Sequence, residues 1–209
     1  MSFVNYKNTL MSTIWLENKN FKYIEPLLEN SLVNTKSGIC VEIGTFYGGS
    51  SVAISNVIRK YGAHLYTFQD PNCMKCNATL SDKSWQKLVS YIKDNPDKEH
   101  FVNGYDFNKL ISVLKDYDNV TLILEKSPPK RFFDSTVNFV YIDIFTDYTE
   151  NLKQILFWLP FLSDSGVLII GDWSLKNNDP TVQHYIEHNL NDFYNVINVV
   201  DCFIAIKHK

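Results

Sequence analysis

From Gly38 to the C-terminus, short β-rich runs alternate with stretches of helical periodicity, and that rhythm leaves few folds open. Ile39–Ile43 is a compact apolar run, and over Ser50–Tyr61 the residues Ala53, Ile54, Val57, Ile58 and Tyr61 share one helical stripe. His64–Phe68 reads as a second strand. Ser81–Lys93 reads as a helix turning Trp85, Leu88, Val89 and Ile92 inward. Phe107, Leu110, Ile111 and Leu114 mark a further helix before the strand Val120–Leu124. Val137–Ile142 is a buried strand, Asp147–Leu162 an amphipathic helix, and Gly166–Ile170 another strand. A helix over Pro180–Leu190 leads to the closing strands Tyr194–Val200 and Cys202–Ile206. Seven strands with helices between the first five predict an α/β, Rossmann-like, mostly parallel sheet with helices on both faces.

The last two strands break the rhythm. Asp201 alone separates their apolar runs, which leaves no room for a crossover helix. They pair antiparallel through a tight C-terminal hairpin or form one bent strand. The first 37 residues read as short helices, with Phe21, Ile24, Leu27, Leu28 and Leu32 at helical spacing and Pro26 near a helix start. The expected organisation is an N-terminal helical extension over 1–37, acting as a lid or brace, and one domain over 38–209.

Composition excludes several classes of function. Twenty basic against 23 acidic residues give a net charge of -3, which argues against a strongly electrostatic nucleic-acid binder. No continuous apolar stretch opens the chain, and the run Ile155–Leu162, broken by Pro160, is too short to cross a bilayer. These features predict a soluble, intracellular, cytoplasmic protein with no nucleic-acid or membrane partner. Four cysteines are too few for a disulfide framework, and the single CxxC of Cys73 and Cys76 supplies half of a four-ligand zinc site, so reduced thiols are expected. His184 and His188, spaced i, i+4, lack the H-E-x-x-H order of a metalloprotease and read as a surface helix.

Glycine is scarce, 8 in 209 residues, yet Gly44, Gly48 and Gly49 fall close together in Val41-Glu42-Ile43-Gly44-Thr45-Phe46-Tyr47-Gly48-Gly49-Ser50-Ser51. The cluster follows the first strand and runs into a helix. Open α/β sheets bind ligands outside the carboxyl ends of their strands, where glycine permits tight turns and close backbone approach. A helix beginning near Ser50 would offer free N–H groups to an anion. The plain alternative is glycine used only to turn the chain.

This stretch resembles motif I of class I S-adenosylmethionine-dependent methyltransferases, acidic-x-Gly-x-x-x-Gly-x-Ser. It departs from the dinucleotide fingerprint, because Phe46 stands where the second glycine would fall. The resemblance extends from about Gly38 to the C-terminus. Phe139-Val-Tyr-Ile-Asp143 with Tyr148, and Ser165-Gly-Val-Leu-Ile-Ile-Gly-Asp172, are similar to the small-molecule and sugar O-methyltransferases.

The resemblance implies S-adenosylmethionine as cofactor and a small-molecule or sugar hydroxyl as acceptor, and it leaves a homo-oligomer open. It implies that Gly44 and Gly48, with Thr45, Phe46 and Tyr47, approach the methionine part of the cofactor. Ser50 and Ser51 open the helix that receives the carboxylate, and Glu42 accepts a hydrogen bond from the amino group, directly or through water. Asp70 holds the ribose hydroxyls, with Gln69 the alternative, and Ser127 beside Lys126 lies near the adenine. Asp143 and Asp172 end two core strands and are the expected catalytic pair, with Asp143 also among the cofactor-binding residues; in metal-assisted relatives such carboxylates bind Mg²⁺, and two carboxylates also suffice for metal-free proton abstraction. The subgroup's Ile-Asp-Gly-Asp-His-x-Tyr is here Ile142-Asp143-Ile-Phe-Thr-Asp147-Tyr148, without the Gly and His. That departure leaves Mg²⁺ undetermined and makes a catalytically inactive cofactor-binding or interaction protein the alternative. Phe46, Tyr47, Phe145 and Trp173 would stack on an acceptor or wall the adenine.

Overall fold

The computed structural model describes residues 21–35, 37–45, 48–70, 107–130, 136–144, 148–171, 194–199 and 202–208. The elements are α1 (Phe21–Leu32), β1 (Ile39–Ile43), α2 (Gly49–Ile58), β2 (His64–Phe68), α3 (Phe107–Leu114), β3 (Val120–Ile123), β4 (Val137–Ile142), α4 (Tyr148–Trp158), β5 (Leu162–Ile170), β6 (Tyr194–Val199) and β7 (Cys202–Lys207). The expected helices over Ser81–Lys93 and Pro180–Leu190 lie outside the described residues, as do Cys73, Cys76, His184 and His188.

The seven strands form one sheet in the order β3-β2-β1-β4-β5-β7-β6. The first five are parallel, and β7 runs antiparallel to both β5 and β6. Val199 pairs with Cys202, so β6 and β7 form the tight hairpin rather than one bent strand. The strand order reverses beside β1, where chain crossovers leave in opposite directions on either side of β1 and β4. That is where an open α/β sheet parts at its carboxyl edge to make a crevice.

Alternate residues of each strand enter opposite cores. Cys40, Phe139, Tyr141, Ile169 and Ile204 meet α1 and α2, whereas Val41, Ile43, Val140, Ile142, Leu168 and Phe203 meet α4 through Ile155 and Trp158. Helix α3 packs Leu110, Val113 and Leu114 against Val52 of α2. Free Cys40 and Cys202 are buried, and burial raises the Cys40 thiol well above its ordinary pKa. No helix among the described residues is long and apolar enough to cross a membrane.

Several boundaries differ from the sequence reading. Pro26 lies inside α1 rather than at its start. An internal proline costs about 3 kcal/mol. The almost fully buried Ile24, Leu28 and Leu32 offset it, at roughly 1.5–3 kcal/mol each. The described part of the N-terminal extension is thus built into the core. Strand β5 begins at Leu162, so Gly166 lies within it, at an irregularity where the register jumps from Val137↔Leu162 to Phe139↔Val167. The helix expected to reach Leu162 ends at Trp158 and tightens into a 3₁₀ turn, Leu159–Phe161, with Pro160 inside that turn.

Candidate active site

The carboxyl ends of the central strands align two rows of residues. In the lower row Thr67, Glu42, Tyr141 and Ile169 stand side by side on β2, β1, β4 and β5. One step beyond, the backbone bonds Gln69 N–H to Ile123 O (2.9 Å), Gly44 N–H to Phe68 O (2.9 Å), Asp143 N–H to Ile43 O (2.8 Å) and Gly171 N–H to Ile142 O (2.9 Å) bring Gln69, Gly44, Asp143 and Gly171 into a second row. Asp143 therefore stands between two glycines at the strand ends. Asp143 is partly exposed, and the Tyr141 hydroxyl donates to its Oδ2 at 3.4 Å.

Gly44 has φ +96°, and a side chain there would run into the Asp143 carbonyl. Gly48 has φ +82°, and a methyl group on it would lie 3.2 to 3.3 Å from Leu110, Val113 and Leu114 of α3. The first glycine therefore permits β1 and β4 to close at their tips, and the second permits α3 to press on the turn. Gly48 is also the N-cap of α2, which begins at Gly49, one residue before the expected Ser50. A glycine cap supplies no side-chain acceptor.

Ser50 and Ser51, in the first turn, aim their hydroxyls inward at Glu42. Ser50 donates to Oε1 and Ser51 to Oε2, while Thr67 donates to Oε2 at 2.6 Å. Glu42 is fully buried. Burial pushes its carboxyl above the ordinary value of 4.5, the three hydroxyls pull it back, and the Asp143 charge adds to the rise. The carboxylate expected to meet a cofactor amine thus has three internal donors. Thr45, also buried, lies 2.5 Å from the Thr67 hydroxyl.

The remaining expected residues are spread along the same edge. Strand β2 ends at Phe68; buried Gln69 turns its amide to the Asp70 carbonyl at 3.3 Å, and Asp70 follows, partly exposed. Ser127 is buried, donating to Gln154 Oε1 at 2.7 Å, while Gln154 Nε2 returns a bond to the Ser127 carbonyl at 2.6 Å. Trp158 Nε1 lies 3.2 Å from both Ser127 Oγ and Gln154 Oε1. The Ser127 hydroxyl thereby fastens its loop to α4. Lys126 pairs with Glu150 at 3.3 Å. Phe46, Tyr47 and Asp172 lie outside the described residues, as do Phe145 and Trp173. Among the described residues no cluster of three or more His, Cys, Asp or Glu could hold a metal ion.

Thr67, Gln154 and Trp158 were not singled out from the sequence. A threonine at an inward strand position and a glutamine one turn before a buried tryptophan were the signals available. Their partners lie on other elements, so only the sheet register reveals them.

Residues 41–173 match the family described as "Methyltransferase domain", a span that includes every described residue of the two rows. No curated protein matches the sequence. The O-methyltransferase NovP shares the fold with TM-score 0.63 at 14% identity, covering 91% of this chain and 80% of that one. An O-methyltransferase from Bacillus cereus in complex with SAH gives TM-score 0.55 at 14% identity over 100% and 92%. An rRNA methylase from Streptococcus thermophilus gives 0.55 at 12% over 92% and 99%. Such low identities carry the fold alone. With the strand order and the glycine turn at the crevice, the family match establishes that the chain belongs to the methyltransferase-domain family, within the class I S-adenosylmethionine-dependent methyltransferases.

Proposed function

We propose that the chain transfers the methyl group of S-adenosylmethionine to a hydroxyl of a small molecule or sugar. The observation that carries this reading is Asp143, a partly exposed acidic residue held between Gly44 and Gly171 at the strand ends. The cradle also fits the cofactor. Gly44 leaves the turn bare of side chain, and the first turn of α2 carries N–H groups suited to a carboxylate. Glu42 stiffens that turn from beneath through Ser50 and Ser51.

When bound, S-adenosylmethionine supplies an electrophilic methyl on its sulfonium. Asp143 orients the acceptor hydroxyl in line and accepts its proton as the new oxygen–carbon bond forms and the sulfur–carbon bond breaks. Asp70 holds the ribose. The net charge of -3 and the likeness to O-methyltransferases favour a small acceptor over RNA.

The test is calorimetric titration with S-adenosylhomocysteine, followed by a methyl-transfer screen over catechols, phenols and sugars with and without Mg²⁺. The expected result is binding by both wild type and Asp143→Asn, with turnover lost in the variant by roughly 100-fold or more. Absence of binding at millimolar concentration refutes the cofactor assignment. Unchanged turnover in Asp143→Asn refutes the role of that carboxylate. Dependence on Mg²⁺ would assign Asp143, with Asp172, to a cation.

A further inference from the structure

Thr67 belongs to no cofactor motif, yet it is the link that closes the hydroxyl cage around Glu42. It stands directly opposite Glu42 in the β1–β2 ladder, fully buried, and donates to Glu42 Oε2 at 2.6 Å. A hydroxyl carries one proton, so the 2.5 Å contact with Thr45 must be donated by Thr45. Thr45 lies on the turn after β1, Thr67 on β2, and Ser50 and Ser51 on the first turn of α2. One carboxylate thereby ties three elements together at the crevice.

This cage decides what the start of α2 can offer. The serines spend their hydroxyls on Glu42 instead of capping the helix, and the N-cap Gly48 has none. The first intrahelical bond runs from Val52 N–H to Gly48 O, at 2.9 Å. The N–H groups of Gly49, Ser50 and Ser51 therefore have no intrahelical acceptor, and they point along the axis out of the N-terminal end of α2.

We propose that Thr67 is a positioning residue for the cofactor: acting through Glu42, it holds Thr45 and the first turn of α2 so that these N–H groups face the crevice. The proposal rests on the cofactor reading above. It assigns Glu42 to the support of the site rather than to direct contact with the cofactor amine. Without the Thr67 hydroxyl, Oε2 keeps Ser51 as its donor, Thr45 loses its acceptor, and the turn gains freedom that binding must remove.

The experiment titrates the full chain with S-adenosylhomocysteine by calorimetry and records Tm for the same samples. Thr67→Val, nearly equal in volume but without the hydroxyl, is expected to weaken binding roughly tenfold, the scale of one hydrogen bond. Thr67→Ser restores the hydroxyl and is expected to bind within about twofold of wild type, a rescue that lost packing alone would not give. Ser55→Ala is the control: Ser55 is buried one turn along the same helix and bonds Asn119 Oδ1 at 2.6 Å. It is expected to lower Tm without changing affinity. Should Thr67→Val not fold, Ser51→Ala removes the other donor to Oε2 and must weaken binding similarly.

Wild-type affinity in Thr67→Val, or an equal loss of affinity in Ser55→Ala, overturns the positioning role and leaves the cofactor reading standing. A wild type that binds no S-adenosylhomocysteine overturns the cofactor reading, and this proposal with it.

Discussion

Gly44 and Gly48 sit four positions apart in one turn and differ in what surrounds them. Replacing each with alanine separates backbone conformation from close approach. Both have positive φ, +96° and +82°, so each alanine meets a left-handed penalty of about 1–2 kcal/mol. Each also stiffens the unfolded chain, which returns about 0.4–1 kcal/mol. At Gly48 the new methyl meets the ends of Leu110, Val113 and Leu114 at 3.2 to 3.3 Å, and rotamer adjustment absorbs most of the overlap. A net loss of about 1 kcal/mol is expected there. At Gly44 the obstacle is the Asp143 carbonyl, which is backbone and cannot rotate away. Relief requires bending the chain, at about 1 kcal/mol for a bond-angle change of about 7°, or loosening the 2.8 Å bond from Asp143 N–H to Ile43 O, worth about 1 kcal/mol. Gly44→Ala should therefore lose about 2 kcal/mol, twice the loss at Gly48. Urea unfolding at 25 °C with a shared m-value measures both. Equal losses at the two positions would refute the claim that Gly44 exists to let β1 and β4 close.

Trp158→Phe keeps the ring packed among Phe68, Phe157 and Phe161 but removes the N–H that reaches Ser127 and Gln154; it should cost about 1 kcal/mol, against about 3–5 kcal/mol for Trp158→Ala, in the same urea assay. Similar losses for the two variants would show that the hydrogen bond, not the ring, matters. Glu42 has a carboxyl raised by burial, so the folded state binds its proton more tightly than the unfolded state; wild-type stability relative to Glu42→Gln should fall as pH rises from 4.5 toward the folded-state value. A difference that is flat across this range, or grows with pH, contradicts the assignment. Glu150, lowered first by the hydrogen bond from Lys153 and further by Lys126, carries the opposite sign: its small contribution should be present above 4.5 and fade as the solution is acidified, visible as a reduced acid dependence in Glu150→Gln.

Much of the domain was legible in local patterns. The run Ile39–Ile43 and the stripe through Ala53, Ile54, Val57 and Ile58 carry their own periods, and β1 and α2 form nearly where those periods place them. The single-residue gap at Asp201 excluded a crossover helix and left a hairpin or one bent strand, and the pairing of Val199 with Cys202 decides for the hairpin. Boundaries were less legible: Pro26 is carried inside α1 by burial of its neighbours, and β5 starts early because Val137 pairs with Leu162. At the site, Asp143 and Gly44 could be selected because motif I and the strand end are contiguous in sequence. Thr67 and Gln154 could not, because each matters through a partner on another strand or helix.

The sequence by itself determined the alternation, the lack of room for a crossover helix at Asp201 and the glycine-bearing turn, since steric limits on the backbone and the burial period of each element act within a few residues. Only the tertiary structure decided that Gly44 abuts Asp143, that Thr67 faces Glu42 and that Ser127 is fastened to Gln154 and Trp158. Those pairings follow from the strand order and register, which arise when distant segments share one core, and no local window of the chain contains both partners.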